Sequence, residues 1–110
     1  MPMYMVQFSY ALGAVQGMVA KPQNRKTAAN KVIKAAGGKL KDMYFCFGDY
    51  DGVAICEFPS NVDAAAASLA IAASGGFSTF KTTVLITLDE SVKAMKKAGT
   101  PQKAYKPPTG

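Results

Sequence analysis

The sequence predicts an α+β domain with the order β-α-β-β-α-β, a four-stranded antiparallel sheet with both helices on one face, and a further C-terminal helix. Three observations carry that prediction. Four segments alternate along the chain with the period of a strand. Two longer segments have apolar residues at helical spacing, and each ends in a glycine pair, Gly37-Gly38 and Gly75-Gly76. An Asp-Gly pair, Asp51-Gly52, falls between the second and third strands, where a hairpin needs it. The chain has 110 residues, room for one domain, placed at residues 1–98 with a flexible basic Pro/Lys tail at 99–110.

Each element has its own justification. Residues 3–9 set Tyr4, Val6 and Phe8 against Met3, Met5 and Gln7, a strand. Residues 11–20 are apolar but contain Gly13 and Gly17, a poor helix in isolation. Pro22 is well placed to open the next helix, residues 23–36, with Ala28, Ala29, Val32, Ala35 and Ala36 inward and Lys26, Asn30 and Lys34 outward. The second strand, 39–48, sets Met43, Phe45 and Phe47 against Tyr44 and Cys46; Asp49 to Gly52 turn the chain into a third strand, 53–58, that Pro59 stops. Ser60 is an N-cap with Asp63 three residues on, opening a helix over 61–74 that is expected to turn Val62, Ala65, Ala66, Leu69, Ala72 and Ala73 inward. The fourth strand is 79–87, and Thr87 with Glu90 forms a capping box for a helix over 88–97 that Gly99 ends. Right-handed crossovers between these elements give the ferredoxin-like arrangement.

Composition narrows the chemistry. Thirteen Lys and Arg against seven Asp and Glu leave a net charge of +6, and there is no histidine. That excludes a histidine general base, Ser-His and Cys-His nucleophile pairs, and histidine-held zinc or haem. Nothing in the sequence calls for a cofactor or a metal. Cys46 and Cys56 read as two small free thiols in a reducing, cytoplasmic setting. Residues 1–20 carry no charge, yet they lack a basic leader and begin with strand alternation, so they read as part of the folded protein and not as a signal peptide or membrane span.

The sheet is expected to be apolar on both faces. The second and third strands place Met43, Tyr44, Phe45, Val53, Ala54, Ile55 and Phe58 on both sides with Glu57 nearly alone as a charge. Leaving such a face in water would forfeit on the order of 10 kcal/mol, so a cover is expected. A second copy of the sheet is one answer and stacked bases are the other. Nucleic acid is disfavoured, because the base-stacking positions of the third strand hold Val53 and Ile55. The second helix, uncharged from Ala64 onward and apolar all round, is also expected to touch a neighbouring subunit.

Three constellations could carry function, each with a plainer alternative. Gly48-Asp49-Tyr50-Asp51-Gly52 offers two carboxylates and a phenol on one turn, or simply the residues a turn requires. Lys81 is a lone cation in an apolar strand: facing the cleft it would attract an anionic or carbonyl ligand, facing outward it would blunt a strand edge. Seven basic residues and no acid between 21 and 41 could bind a polyanion non-specifically, but they include only one Arg and no aromatic, which favours a solvated face.

The first strand Met3 to Tyr10, the helix end Ala35-Ala36-Gly37-Gly38-Lys39-Leu40, the hairpin Phe47-Gly48-Asp49-Tyr50-Asp51-Gly52 and the run Phe80-Lys81-Thr82-Thr83 together resemble the GYD-domain family, whose name comes from Gly48, Tyr50 and Asp51. The resemblance spans about residues 3–98. It implies a ferredoxin-like dimeric α/β-barrel and leaves the activity open, because related barrels include monooxygenases, isomerases, haem-handling proteins and ligand-sensing domains. The expectation is a homodimer that binds a small anionic or carbonyl-bearing molecule between sheet and helices, through Tyr4, Tyr50, Asp51 and Lys81. The alternative is a non-enzymatic assembly module; polyanion binding through 21–41 is a third.

Overall fold

The computed structural model describes residues 1–109. Its elements are β1 (Met3–Tyr10), α1 (Leu12–Ala20), α2 (Lys26–Ala35), β2 (Lys39–Phe45), β3 (Gly52–Glu57), α3 (Asn61–Ala72), β4 (Phe77–Leu85), α4 (Leu88–Lys97) and α5 (Gly99–Ala104). The four strands form one antiparallel sheet in the order β2-β3-β1-β4, and the fold is ferredoxin-like as the sequence predicts.

Strand register decides which side chains meet. Tyr4, Val6 and Phe8 of β1 lie between Cys56, Ala54 and Gly52 of β3 on one side and Val84, Thr82 and Phe80 of β4 on the other. Tyr4, Val6, Phe8, Ala54 and Cys56 are buried under the helices with Ile33 of α2 and Ala64 and Ala67 of α3. Successive strand residues point to opposite faces, so Met3, Met5, Gln7, Val53, Ile55, Lys81, Thr83 and Leu85 occupy the open face. Most of these are only half-buried within the single chain, and Lys81 is exposed. A bulge in β2 between Leu40 and Asp42 keeps Leu40 and Met43 on the helix side, opposite Cys56 and Ala54.

Four features depart from expectation, three of them in helices. α3 turns Ala64 and Ala67 inward with Ser68, while Val62 and Leu69 remain 77% and 71% exposed. The helix is apolar around its circumference, so periodicity could not choose a face. Its few polar groups distinguish the sides: the Ser68 hydroxyl shares a hydrogen bond of 2.8 Å with the Thr82 hydroxyl on the helix side of β4. α1 forms despite its two glycines, with no buried residue and no capping side chain. Its start is held by the Ala11 amide, which donates to the Gly76 carbonyl at 2.9 Å. The hairpin is not a two-residue Asp-Gly turn. The Cys46 amide donates to the Asp51 carbonyl at 2.8 Å, and Gly48, at φ 151°, takes the conformation closed to other residues, while Gly52 is already in β3.

The fourth departure lies in the basic tail, whose first part is helix α5. Pro101 falls in its first turn, where a missing amide hydrogen costs no helical bond. α4 carries the predicted capping box, Thr87 with Glu90. Neither helix buries a residue, and both project from the sheet. The radius of gyration is 17.8 Å against the roughly 13 Å of a compact chain of this length. Leu88, Val92 and Met95 lie along one side of α4, with Leu88 and Met95 84% and 69% exposed. No helix among the described residues is long and apolar enough to cross a membrane.

Candidate functional site

The helix side of the sheet contains a cleft, and its lining follows from residue size. α2 and α3 place Ala28, Ala29, Ala67 and Ala70 above the sheet, side chains too short to fill the gap beneath them. Below stand Val6, Phe8, Met43, Ala54 and Cys56, with Phe77 and Phe80 at the β4 end. The cleft is open to solvent, and its volume is about 280 Å³. A second hollow of about 550 Å³ continues from it between α1, the loop before α2 and the hairpin, and shares Phe8, Tyr10, Arg25 and Met43 with the first. Val15, Met18 and Val19 of α1 wall this hollow, which is the visible use of that weak helix.

One end of the cleft is aromatic. Tyr10 and Phe77 stack with centroids 5.1 Å apart, Phe8 meets Phe77 edge-on at 5.4 Å, and Phe77 meets Phe80 edge-on at 5.5 Å. Polar groups gather where the two hollows join. The Tyr10 amide donates to Asp51 Oδ2 at 2.9 Å, which holds that carboxylate against the backbone of β1. Arg25, at the N-cap of α2, donates to Gln23 Oε1 at 2.8 Å. Burial holds the Tyr10 phenol above its usual range, while the Arg25 charge pulls it down and the Asp51 charge pushes it up. Arg25 and Asp51 therefore each lie within electrostatic reach of the Tyr10 phenol. Arg25 nevertheless has no acidic partner, since the ion pair found among the described residues is Lys41 with Glu57, at 3.6 Å.

The four residues that the sequence selects do not converge. Tyr4 is 1% exposed and its hydroxyl donates to Asn61 Oδ1 at 2.6 Å, tying β1 to the start of α3 beneath the surface. Asp51 lines the second hollow. The Tyr50 carbonyl accepts from Cys46 Sγ at 3.2 Å within the hairpin, and its side chain lines neither hollow. Lys81 pairs with Gln7 across the open face, on the far side of the sheet from the cleft. Its place in the alternation with Phe80 and Thr82, whose rings and hydroxyls face the helices, puts it there.

The sequence reading missed Tyr10 and Arg25. Two signals could have found them: Tyr10 extends the even series Tyr4, Val6, Phe8, and Arg25 is the one arginine among thirteen basic residues. Arginine, with its planar fork of donors, is not interchangeable with the lysines around it.

The GYD-domain family model matches residues 4–95. The chain belongs to the GYD-domain family. This GYD-domain protein also resembles two solved structures in fold. The MtbAldR crystal structure aligns with a TM-score of 0.54 at 16% identity, over 78% of this chain and 52% of that one. A hypothetical protein from Pyrococcus horikoshii, PHS023, aligns with a TM-score of 0.50 at 16% identity, over 79% of this chain and 92% of that one. No curated protein matches the chain in sequence. At such identity the likeness is one of fold alone.

Proposed function

We propose that this GYD-domain protein is a cytoplasmic homodimer that binds a small anionic molecule in the cleft between its sheet and helices. The observation that carries this reading is the cleft itself: about 280 Å³, walled by apolar side chains, with one unpaired arginine and one half-buried phenol at its mouth. Within the site Asp51 is the orienting group, Arg25 takes the charge role first expected of Lys81, and Tyr10 replaces Tyr50 as the phenol. Lys81 then belongs to the open face of the sheet. Two free thiols, Cys46 and Cys56, suit a reducing compartment.

The open face supports dimerisation, because the half-buried Met3, Met5, Val53, Ile55 and Leu85 stand together on it with no helix over them. The projecting α4, amphipathic and too short to be stable alone in water, offers a second copy a further apolar surface to cover, which supports the same reading. A thermal-shift screen of small acids and their uncharged counterparts, run beside native mass spectrometry, tests both parts. Stabilisation by acids that is lost in Arg25→Gln supports the site, and a dimer at low micromolar concentration supports the assembly. A monomer that no acid stabilises overturns both.

A second reading, a non-enzymatic assembly module, is favoured by the apolar stripe of α3, where Val62 and Leu69 are exposed. It predicts oligomers larger than two that Val62→Lys with Leu69→Lys reduces to dimers, and no ligand response.

A further inference from the structure

We infer that the ligand class of this cleft is a flat aromatic monocarboxylate of about two fused rings, its ring slotted between the aromatic floor and the alanines of α2 and α3 and its carboxylate on Arg25. The inference rests on the small-molecule reading above and names what that site would take. Size comes first: the part of the cleft under α2 and α3, before it opens into the second hollow at Arg25, has a volume near 280 Å³, about twice the ~150 Å³ that admits one benzene ring. Shape comes next. On the helix side the lining is alanines beside Val32, Ile33 and Ile71, and on the sheet side it includes Phe8, Phe77 and Phe80, so a ring in the cleft can make stacked or edge contacts.

Charge decides the head group. Arg25 is the one charged side chain among those lining the first hollow, and it stands where that hollow opens into the second. It lacks an acidic partner, while Asp51, the carboxylate that lines the second hollow, already accepts the Tyr10 amide. One guanidinium fork matches one carboxylate with two parallel hydrogen bonds. A phosphate would bring a second charge and a third oxygen to a mouth that has a single cation and Asp51 nearby, and an uncharged ring would leave the guanidinium unused.

The test uses the full-length protein and three probes, 2-naphthoate, 2-naphthamide and octanoate, titrated by calorimetry. The expected result is that 2-naphthoate binds at least ten-fold more tightly than 2-naphthamide and octanoate, and that Arg25→Gln removes the preference for the acid while leaving the amide unchanged. Arg25 is exposed and its one internal hydrogen bond is to Gln23, so the variant is expected to fold; thermal melting checks this. Ala70→Leu, which lengthens one side chain of the helix-side lining, serves as the second variant and should weaken both naphthalene probes by ten-fold or more. Equal affinity for acid and amide in the parent protein would overturn the carboxylate assignment and leave the cleft reading standing, as would tighter binding of octanoate for the aromatic assignment. If no probe binds at millimolar concentration, the cleft reading falls with it.

Discussion

Gly52→Ala is the sharpest perturbation of the floor of the cleft. A Cβ built at Gly52 would come within 2.5 Å of Phe8 Cε2, where carbon atoms in contact sit roughly 3.5–4.0 Å apart. Phe8 would have to retreat by about 1 Å or more to restore that separation. Its retreat is opposed on several sides: it is 5% exposed, its ring meets Tyr10 and Phe77 edge-on at 5.4 Å each, and Phe80 stacks against it at 6.2 Å, so the way left open is into the cleft that it lines. Overpacking of this kind costs roughly 1–3 kcal/mol. Taking about 2 kcal/mol, the melting temperature falls by about 8–16 °C for a domain of this size. The assay is thermal and urea unfolding at one fixed protein concentration, because a dimer's apparent stability depends on concentration. Phe8→Leu, which shortens the obstructing side chain, should recover at least about 1 kcal/mol of the loss in a double-mutant cycle. An alanine variant within about 0.5 kcal/mol of the parent, or strict additivity with Phe8→Leu, would refute the reasoning.

Four further outcomes are expected. Burial pushes the Cys56 thiol up to about 11, so at pH 8 it stays protonated and a thiol reagent should titrate one cysteine, Cys46, in the native protein and two in denaturant. Tyr4→Phe removes the hydroxyl bonded to Asn61 and should lower stability by about 0.5–1.5 kcal/mol in urea unfolding while leaving 2-naphthoate affinity unchanged. Hydrogen bonds from the Thr87 backbone and side chain hold the Glu90 carboxyl below its usual range, so its cap is formed above the unfolded carboxylate pKa and is lost as pH falls through the lower folded value; amide shifts of α4 followed by NMR should report fraying in that acidic window and, in Thr87→Ala, at neutral pH as well. Met5→Asp with Ile55→Asp places charges on the open face and should give a monomer by native mass spectrometry, with far-ultraviolet circular dichroism retained.

The strand pattern was legible because burial on this sheet follows strict alternation. Tyr4, Val6 and Phe8 announce their common face in the sequence, and the helix ends are fixed by glycine pairs and by Thr87 with Glu90. α3 was not legible in the same way. Val62, Ala65 and Leu69 are as apolar as Ala64, Ala67 and Ile71, and the Ser68–Thr82 hydrogen bond that distinguishes the faces joins residues 14 apart in sequence. The site suffered similarly. Local density of polar residues drew attention to the Gly48 to Gly52 turn, whereas the cleft is made by absent bulk, the alanines of two helices 40 residues apart lining one side of it and a set of rings the other. Lys81 stood out as a lone charge, yet its position one residue from Phe80 sends it to the other face. Arg25 reaches the cleft because α2 begins beside it, which is a property of packing and not of any local motif.

The most direct test of the cleft as the working site is a backbone amide chemical-shift map of the full-length protein during titration with 2-naphthoate. The account predicts saturable shifts centred on Arg25, Ala28, Ala67, Phe77 and Phe80, with Met5, Ile55 and Lys81 on the open face unmoved. Shifts confined to the open face, or none at saturating ligand, would contradict it.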